Sequence, residues 1–155
     1  MTLRINSENR NKKIKIDLSK AKKVARTALR ALGKDDVELN IVFISDQKIR
    51  ALNRAYLDED AATDVIAFPP GEERFGRKAG GGKRKKIRFL GDVAISSDRA
   101  AQNSRVYGLS LMEEAALYII HGILHLAGRE DRTRKGRGLM RRQEDEILQE
   151  ARKVF

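Results

Sequence analysis

Hydrophobic positions along this chain recur with two different spacings, and each spacing predicts a different kind of element. Short runs rich in β-branched residues, in which apolar positions alternate or follow one another, are typical of strands. Four segments have this pattern, and they are residues 13–16, 37–44, 64–68 and 89–95. The first of them is predicted to be an edge strand. The pattern therefore predicts a small mixed sheet.

Apolar residues three and four positions apart predict helices between and after these strands. The helical segments are residues 18–32, 47–56 with Asp46 as their cap, 97–106, 110–126 and 137–153. Ser110 and Glu113 have the spacing of a capping box at the start of the fourth helix. The last helix is highly charged, and its expected apolar stripe is Leu139, Met140, Ile147, Leu148 and Ala151. Strands and helices together predict an α+β fold, with helices packed around the sheet.

The helix that ends at Leu126 is apolar on nearly every face, which predicts that it is buried in the centre of the fold. Its only polar side chains between residues 115 and 126 are His121, His125 and Tyr118. A separation of four puts both imidazoles on one helix face, where they can share an ion. Gly128 then permits a tight turn, through which Asp131 can return to the same ion. The sequence thus predicts His121, His125 and Asp131 as metal ligands.

Three protein ligands leave one position open on a divalent cation. A water bound at that position is acidified, which favours hydrolysis as the reaction. The alternative is that the two histidines are only packed or solvated, which is more common for a pair four apart on a helix. The chain has no cysteine, so a thiolate site and a disulfide framework are both excluded. Any metal site must use nitrogen and oxygen ligands.

Length and composition favour one compact domain over residues 1–155. The apolar content of 41% excludes a disordered chain. The first 17 residues contain no apolar run long enough for a signal peptide or a membrane span. We therefore expect a cytoplasmic protein with no membrane association, and a monomer.

The chain is strongly basic, with 33 Lys and Arg against 22 Asp and Glu and a net charge of +11. Excess positive charge attracts polyanions, so nucleic acid is the expected partner, although high charge also serves solubility. One basic cluster lies in a Gly-rich and Lys-rich segment, residues 71–88, which is expected to be a flexible loop that grips phosphate or is merely solvated. The predicted RNA-binding residues are Lys83, Arg84, Lys85, Lys86, Arg88, Arg129, Arg132 and Arg134.

The segment from His121 to Gly128 resembles the signature of the YbeY family of bacterial rRNA maturation factors and endoribonucleases, whose pattern runs His-Gly-x-Leu-His-Leu-x-Gly-Tyr-Asp-His. Residues 37–46, 52–53, 63–69 and 90–96 also match the family in order and approximate spacing. The resemblance implies an α+β fold with a zincin-like central helix and a zinc ion. It also implies cleavage of single-stranded RNA in small-subunit rRNA maturation and ribosome quality control, with the small subunit and its proteins as partners.

This chain departs from the family pattern at four positions. Asp131 stands where the family has its third histidine, Glu130 where it has aspartate, and Arg129 where it has tyrosine. We expect Asp131 to be the third ligand, with Glu130 as the alternative ligand or the proton acceptor. A carboxylate in this place also admits divalent metals other than zinc. Leu57 occupies the place of a family arginine thought to assist catalysis, and Arg54 is predicted to take over that role.

Two other functions are open at the level of sequence. A ribosome-associated protein with a structural or degenerate metal site would have the same basic character, and the changed ligand and missing arginine favour it. A zincin-type metalloprotease would place its glutamate base directly after the first histidine, where this chain has Gly122. The protease is the less favoured of the two.

Overall fold

A computed structural model describes residues 2–75, 87–129 and 131–155 of the chain. In this part of the chain one sheet contains four strands, β1 (Leu3–Asn9), β2 (Val37–Ile44), β3 (Val65–Phe68) and β4 (Arg88–Ser96), in the order β1-β2-β4-β3. The first three strands in that order are parallel to one another, and β3 pairs antiparallel to β4 at the other edge. The predicted mixed sheet is confirmed.

Five α-helices accompany the sheet in the described residues: α1 (Leu18–Ala31), α2 (Asp46–Leu57), α3 (Ser97–Tyr107), α4 (Leu111–Leu126) and α5 (Arg134–Ala151). A short 3₁₀ turn, Arg152–Val154, ends the chain. None of the helices in the described ranges combines the length and the apolar character that crossing a membrane requires. The predicted α+β architecture, with a central helix that carries the two histidines, is confirmed.

Helix α4 lies at the centre of the main hydrophobic core. One face of the sheet packs against α1 and α4, and α5 closes the same core from outside, with Met140, Ile147 and Leu148 buried. The other face packs against α2 in a smaller cluster around Ile49 and Phe68. Because α4 is enclosed between the sheet and α5, the middle of the helix is buried, and the two histidines lie toward its partly exposed C-terminal end.

Two elements differ from their predicted positions. The first strand is β1, residues 3–9, and residues 13–16 form a turn and loop that leads into α1. Asn9 and Asn11 divert the backbone there, because their side chains bond to the main chain of Ile14 and Lys13. Helix α5 begins at Arg134 rather than 137, and Leu139 is 50% exposed, so it does not belong to the apolar stripe.

Asp92 fixes the start of the Gly-rich and Lys-rich segment from inside the sheet. Its carboxylate is fully buried and accepts hydrogen bonds from the backbone N–H groups of Arg74 and Phe75, and from the side chain of Asn40. A buried carboxylate is stabilised by such donors. The chain is thereby held at β4 up to residue 75, and residues 76–86, with the predicted RNA-binding Lys83, Arg84, Lys85 and Lys86, lie outside the described residues.

Candidate metal centre

The C-terminal end of α4 places the two histidines and turns the chain back toward them. His121 and His125 lie one turn apart in the last two turns of the helix. Gly128 has φ +87°, and the N–H groups of Gly128 and Arg129 donate to the carbonyls of His125 and Leu124. A left-handed residue in this place is typical of a helix C-terminus. The turn predicted at Gly128 therefore forms, and it brings Asp131 beside the histidines.

Three side chains converge at this point, as the sequence predicts. One ligand atom from each of His121, His125 and Asp131 lies within 4.8 Å of the other two. The two Nε2 atoms are 3.0 Å apart, and His125 Nε2 is 3.6 Å from Asp131 Oδ2. A tetrahedral ion with bonds of about 2.0–2.1 Å to nitrogen would separate two ligand atoms by about 3.3 Å. The donor set and its spacing fit a divalent cation such as zinc.

Glu144, on α5, fixes the ring of His121 from behind. Its Oε1 lies 2.5 Å from Nδ1 of His121, and its side chain is 19% exposed. A carboxylate on Nδ1 selects the tautomer with the proton on that nitrogen, so the lone pair of Nε2 points at the other two ligands. The arrangement is the one that commonly supports a metal-ligating histidine.

The pKa values of the two imidazoles are shifted in opposite directions. Burial lowers the pKa of His121, but the hydrogen bond and charge of Glu144 outweigh it, with smaller effects of Asp64 and Asp131, so this pKa is raised above its usual value. Burial and the neighbouring His121 lower the pKa of His125, against the opposing charge of Asp131. The carboxylates of Glu144 and Asp131 therefore direct negative charge at the two imidazoles, and this charge favours a bound cation.

Gly122 lets α4 approach the sheet closely enough to hold the centre in place. A Cβ at this position would lie 2.6 Å from the Val93 side chain and 3.3 Å from that of Val65. The residue after the first histidine thus faces β4 and β3, away from the metal ligands. The glutamate base of a zincin protease would clash in this position, which removes the basis of the metalloprotease alternative.

A cavity of about 160 Å³ opens beside the centre, between the end of α4 and α5. Its lining residues are His121, Asp131, Arg137, Met140, Arg141 and Glu144. The side chains of His121 and His125 are 31% and 33% exposed, and that of Asp131 is 45% exposed. A centre of this kind is accessible to a substrate, whereas structural zinc sites are closed by a fourth protein ligand.

The other predicted site residues in the described part of the chain fall into two groups, one close to the metal centre and one distant from it. Arg129 donates to Gln143 on α5, and Arg132 and Arg134 are exposed at the start of α5. Arg88 lies at the first position of β4, about 16 Å along the strand from Val93. Glu130 lies outside the described residues.

Arg54 is on α2, where its guanidinium is 3.9 Å from Asp60 and its side chain is 64% exposed. Arg50 makes the shorter contact with the same carboxylate, 2.8 Å. Leu57, in the place of the family arginine, is 52% exposed. Among the described residues, the arginines in the lining of the metal-centre cavity come from α5 and not from α2.

Sequence reasoning did not identify Glu144. It placed the two arginines of the cavity in a basic cluster between residues 129 and 142, beside the predicted metal ligands, but did not assign them to the site. A carboxylate partner for a histidine ligand can be expected on general grounds. However, α5 also contains Asp145, Glu146 and Glu150, and only its packing against α4 selects one of the four. The one signal in the sequence is the spacing of Arg137, Met140, Arg141 and Glu144, which places them on a single helix face.

The chain matches one family model, described as endoribonuclease YbeY, over residues 6–152. A protein of Aquifex aeolicus named endoribonuclease YbeY is 45% identical over 117 residues, which are 76% of this chain and 71% of that protein. Proteins of the same name from Pelotomaculum thermopropionicum and Geobacter sulfurreducens are 40% and 39% identical, over 81% and 88% of this chain and 80% and 85% of theirs.

A solved structure shares the fold. The solution structure of a Thermotoga maritima protein superimposes on this chain with a TM-score of 0.59 and covers 97% of this chain and 89% of its own. The two sequences are 24% identical. The similarity extends to the arrangement of the sheet and helices as a whole.

Proposed function

Because this chain belongs to the endoribonuclease YbeY family, we propose that it is a metal-dependent endoribonuclease that cleaves single-stranded RNA. The family membership is carried by the match over residues 6–152 and by the relatives at 39–45% identity, and it confirms the resemblance drawn from the sequence. We treat residues 1–155 as one domain with one reaction centre. Small-subunit rRNA in the cytoplasm, together with the ribosomal small subunit, is the proposed substrate and setting.

The observation that carries the proposal is the convergence of His121, His125 and Asp131 within 4.8 Å at an accessible cavity. These three residues would hold one divalent cation, with zinc the first candidate. The cation would acidify a water and polarise a phosphate oxygen. The exposed position of the three side chains supports a catalytic centre over the purely structural metal site that is the alternative.

Other residues of the chain are proposed to position the ligands, bind the RNA and transfer the proton. Glu144 holds the His121 ring with its Nε2 aimed at the centre, and Gly122 sets the depth of α4 against the sheet. Arg129, Arg132 and Arg134 are proposed to contact the RNA backbone close to the centre, and Arg88 and the basic residues 83–86 at a greater distance. Glu130 is proposed as the proton acceptor, and Arg54 stays a prediction for stabilising charge on the phosphate.

Cleavage of a single-stranded RNA oligonucleotide by the purified protein tests the function. We expect cleavage that stops when the metal is removed by a chelator and returns when zinc or manganese is restored. His121→Ala should lose cleavage but keep its fold and its affinity for RNA. A double-stranded RNA of the same sequence is the matched control, and it should remain intact.

Two results would contradict the proposal. Cleavage that survives both chelation and His121→Ala would come from a contaminating nuclease or another centre. Failure of the wild type to cut any single strand with any divalent cation would favour the non-catalytic alternative. A precursor transcript of the small-subunit rRNA 3′ end then tests the substrate, and its product ends, 3′-hydroxyl or cyclic phosphate, identify water or the RNA 2′-hydroxyl as the nucleophile.

A further inference from the structure

Two arginines of α5 line the metal-centre cavity from the side opposite α4. Arg137 and Arg141 are four residues apart and therefore lie one above the other on one helix face. The same face carries Met140, which is buried, and Glu144, which bonds to His121. The contact of Glu144 thus sets the rotation of α5, and this rotation directs Arg137 and Arg141 into the cavity that contains His121 and Asp131.

The charges of these two arginines are not used within the described chain. Neither guanidinium forms an ion pair among residues 2–75, 87–129 and 131–155, and the cavity carboxylates Glu144 and Asp131 lie against the histidines instead. Arg137 Nη1 donates only to the backbone carbonyls of Asp131 and Arg132, both at 3.4 Å. Arg50 and Arg54, in contrast, share Asp60, and Arg129 bonds to Gln143.

We propose that Arg137 and Arg141 form a phosphate-binding site that holds the phosphodiester group of RNA beside the metal centre. The proposal rests on the function proposed above and names the residues that bind its substrate. A guanidinium presents parallel N–H donors that match two phosphate oxygens. Two of them at the edge of a cavity with a divalent cation would bind the negative phosphate and stabilise the charge that develops on it.

The position of Arg137 links this site to the third metal ligand. Its hydrogen bonds to the carbonyls of Asp131 and Arg132 hold the loop that follows α4. A phosphate bound by Arg137 would therefore contact the same side chain that supports the Asp131 loop. Arg141 has no such contact in the described chain, so its substitution tests phosphate binding without disturbing that loop.

The test uses the full chain with Arg141→Gln, with the double variant Arg137→Gln/Arg141→Gln, and with Arg30→Gln/Arg142→Gln as a control that removes the same two charges. Arg142 is exposed on α5 next to Arg141, and Arg30 is exposed near the end of α1. Neither lines the metal-centre cavity. Affinity for a single-stranded RNA oligonucleotide is measured across a salt series on chelator-treated protein, and zinc affinity is measured separately.

Arg141→Gln should bind the oligonucleotide about tenfold more weakly than the wild type, and the double variant about 10- to 100-fold more weakly. Losing hydrogen bonds to a charged group usually weakens binding by factors of this size. The slope of log affinity against log salt should become shallower by about 0.7 for each phosphate that the variant no longer neutralises. Zinc affinity of Arg141→Gln should stay within about twofold of the wild type. The control should bind RNA within about twofold of the wild type.

An affinity of Arg141→Gln and of the double variant equal to that of the control would overturn the phosphate site. A drop in RNA affinity in the control as large as in the double variant would also overturn it, because bulk charge would then be sufficient. The proposed function fails separately, when the wild type binds RNA but does not cleave it with any divalent cation. RNA affinity decides the phosphate site in either case.

Discussion

The two helices that meet at the metal centre, α4 and α5, differ in how much of each is buried. Nine of the sixteen residues of α4 are buried, compared with four of the eighteen residues of α5. Residues four apart on a helix are neighbours in space, so the two histidines of α4 meet through local helix geometry alone. The side chains of α5 acquire their roles only from how that helix is rotated against α4. Two of the ligands lie on the first helix and the third on the turn that follows it, and the groups that support and surround them lie on the second helix.

The strongest test of this difference between the two helices separates metal binding from folding stability within α4. His125→Ala should abolish zinc binding, measured by calorimetry, because it removes one of three ligands, and it should leave thermal stability in the absence of metal nearly unchanged. Its imidazole is one third exposed, and among the described residues its ring nitrogen contacts His121 and Asp131. We expect the free energy of unfolding to fall by about 1 kcal/mol or less, since a partly exposed side chain is removed and no fully buried contact is lost.

Leu124→Ala is the matched control for His125→Ala, one residue away and fully buried. It should lower the free energy of unfolding by about 2–5 kcal/mol through the cavity it leaves. The zinc affinity of the molecules that remain folded should be unaffected. If His125→Ala unfolds the chain as Leu124→Ala does, the centre is structural and the division between ligands and packing is wrong.

Support from α5 should be worth less than a ligand from α4 but should still be measurable. Glu144→Gln keeps the size of the side chain and removes the charge that holds Nδ1 of His121. We expect zinc affinity to fall about 10- to 100-fold, the usual cost of losing such a partner. Competition with a chromophoric chelator measures the change.

Asp145→Asn removes the same charge from the next residue of α5, which is exposed. It should leave zinc affinity unchanged within about twofold. An equal fall in affinity in both variants would mean that the general negative charge of α5 attracts the cation, and not the contact with His121.

The same division explains which parts of the centre could be predicted from the sequence. Both histidines, the turn at Gly128 and the return of Asp131 follow from contacts within eleven residues, from 121 to 131, of one helix end. Glu144 is 23 residues from His121, and Arg137 and Arg141 resemble every other exposed arginine of a basic chain. Selecting them requires the packing of two helices, which local periodicity does not contain.

The sheet provides a second example. Strand β2 is buried at all eight positions and is clear from its sequence, whereas β1 is buried only at Ile5. As an edge strand it has one partner, and it alternates weakly, since polar residues such as Asn6 occupy the less covered face of the sheet. Its pairing with β2 is a long-range contact that local patterns do not reveal, and the strand therefore lies earlier in the chain than predicted.

Glycine-to-alanine substitutions compare the close packing of α4 on the sheet with the open face of α5, and their expected effects on stability are smaller. Gly122→Ala should lower the free energy of unfolding by about 1–3 kcal/mol, because the added methyl group would lie 2.6 Å from Val93, which is fully buried and cannot move aside. Chemical denaturation with a constant m value measures the change. Since α4 must shift to accept the methyl group, zinc affinity should fall as well. A variant as stable as the wild type would show that α4 is not held against β4 and β3 at this point.

A glycine-to-alanine substitution in α5 should change the free energy of unfolding in the opposite direction and by the smallest amount. Gly138 is helical and exposed, and a Cβ built there has nothing within 4 Å. Glycine inside a helix costs about 0.5–1 kcal/mol relative to alanine, so Gly138→Ala should raise stability by that amount, or about 1–4 °C in Tm for a chain of this size. Zinc affinity should not change, because the rotation of α5 stays as it is. A decrease in stability in Gly138→Ala would mean that this face of α5 is packed against something in the folded protein, and the contrast between a buried α4 and a solvent-facing α5 would then not hold.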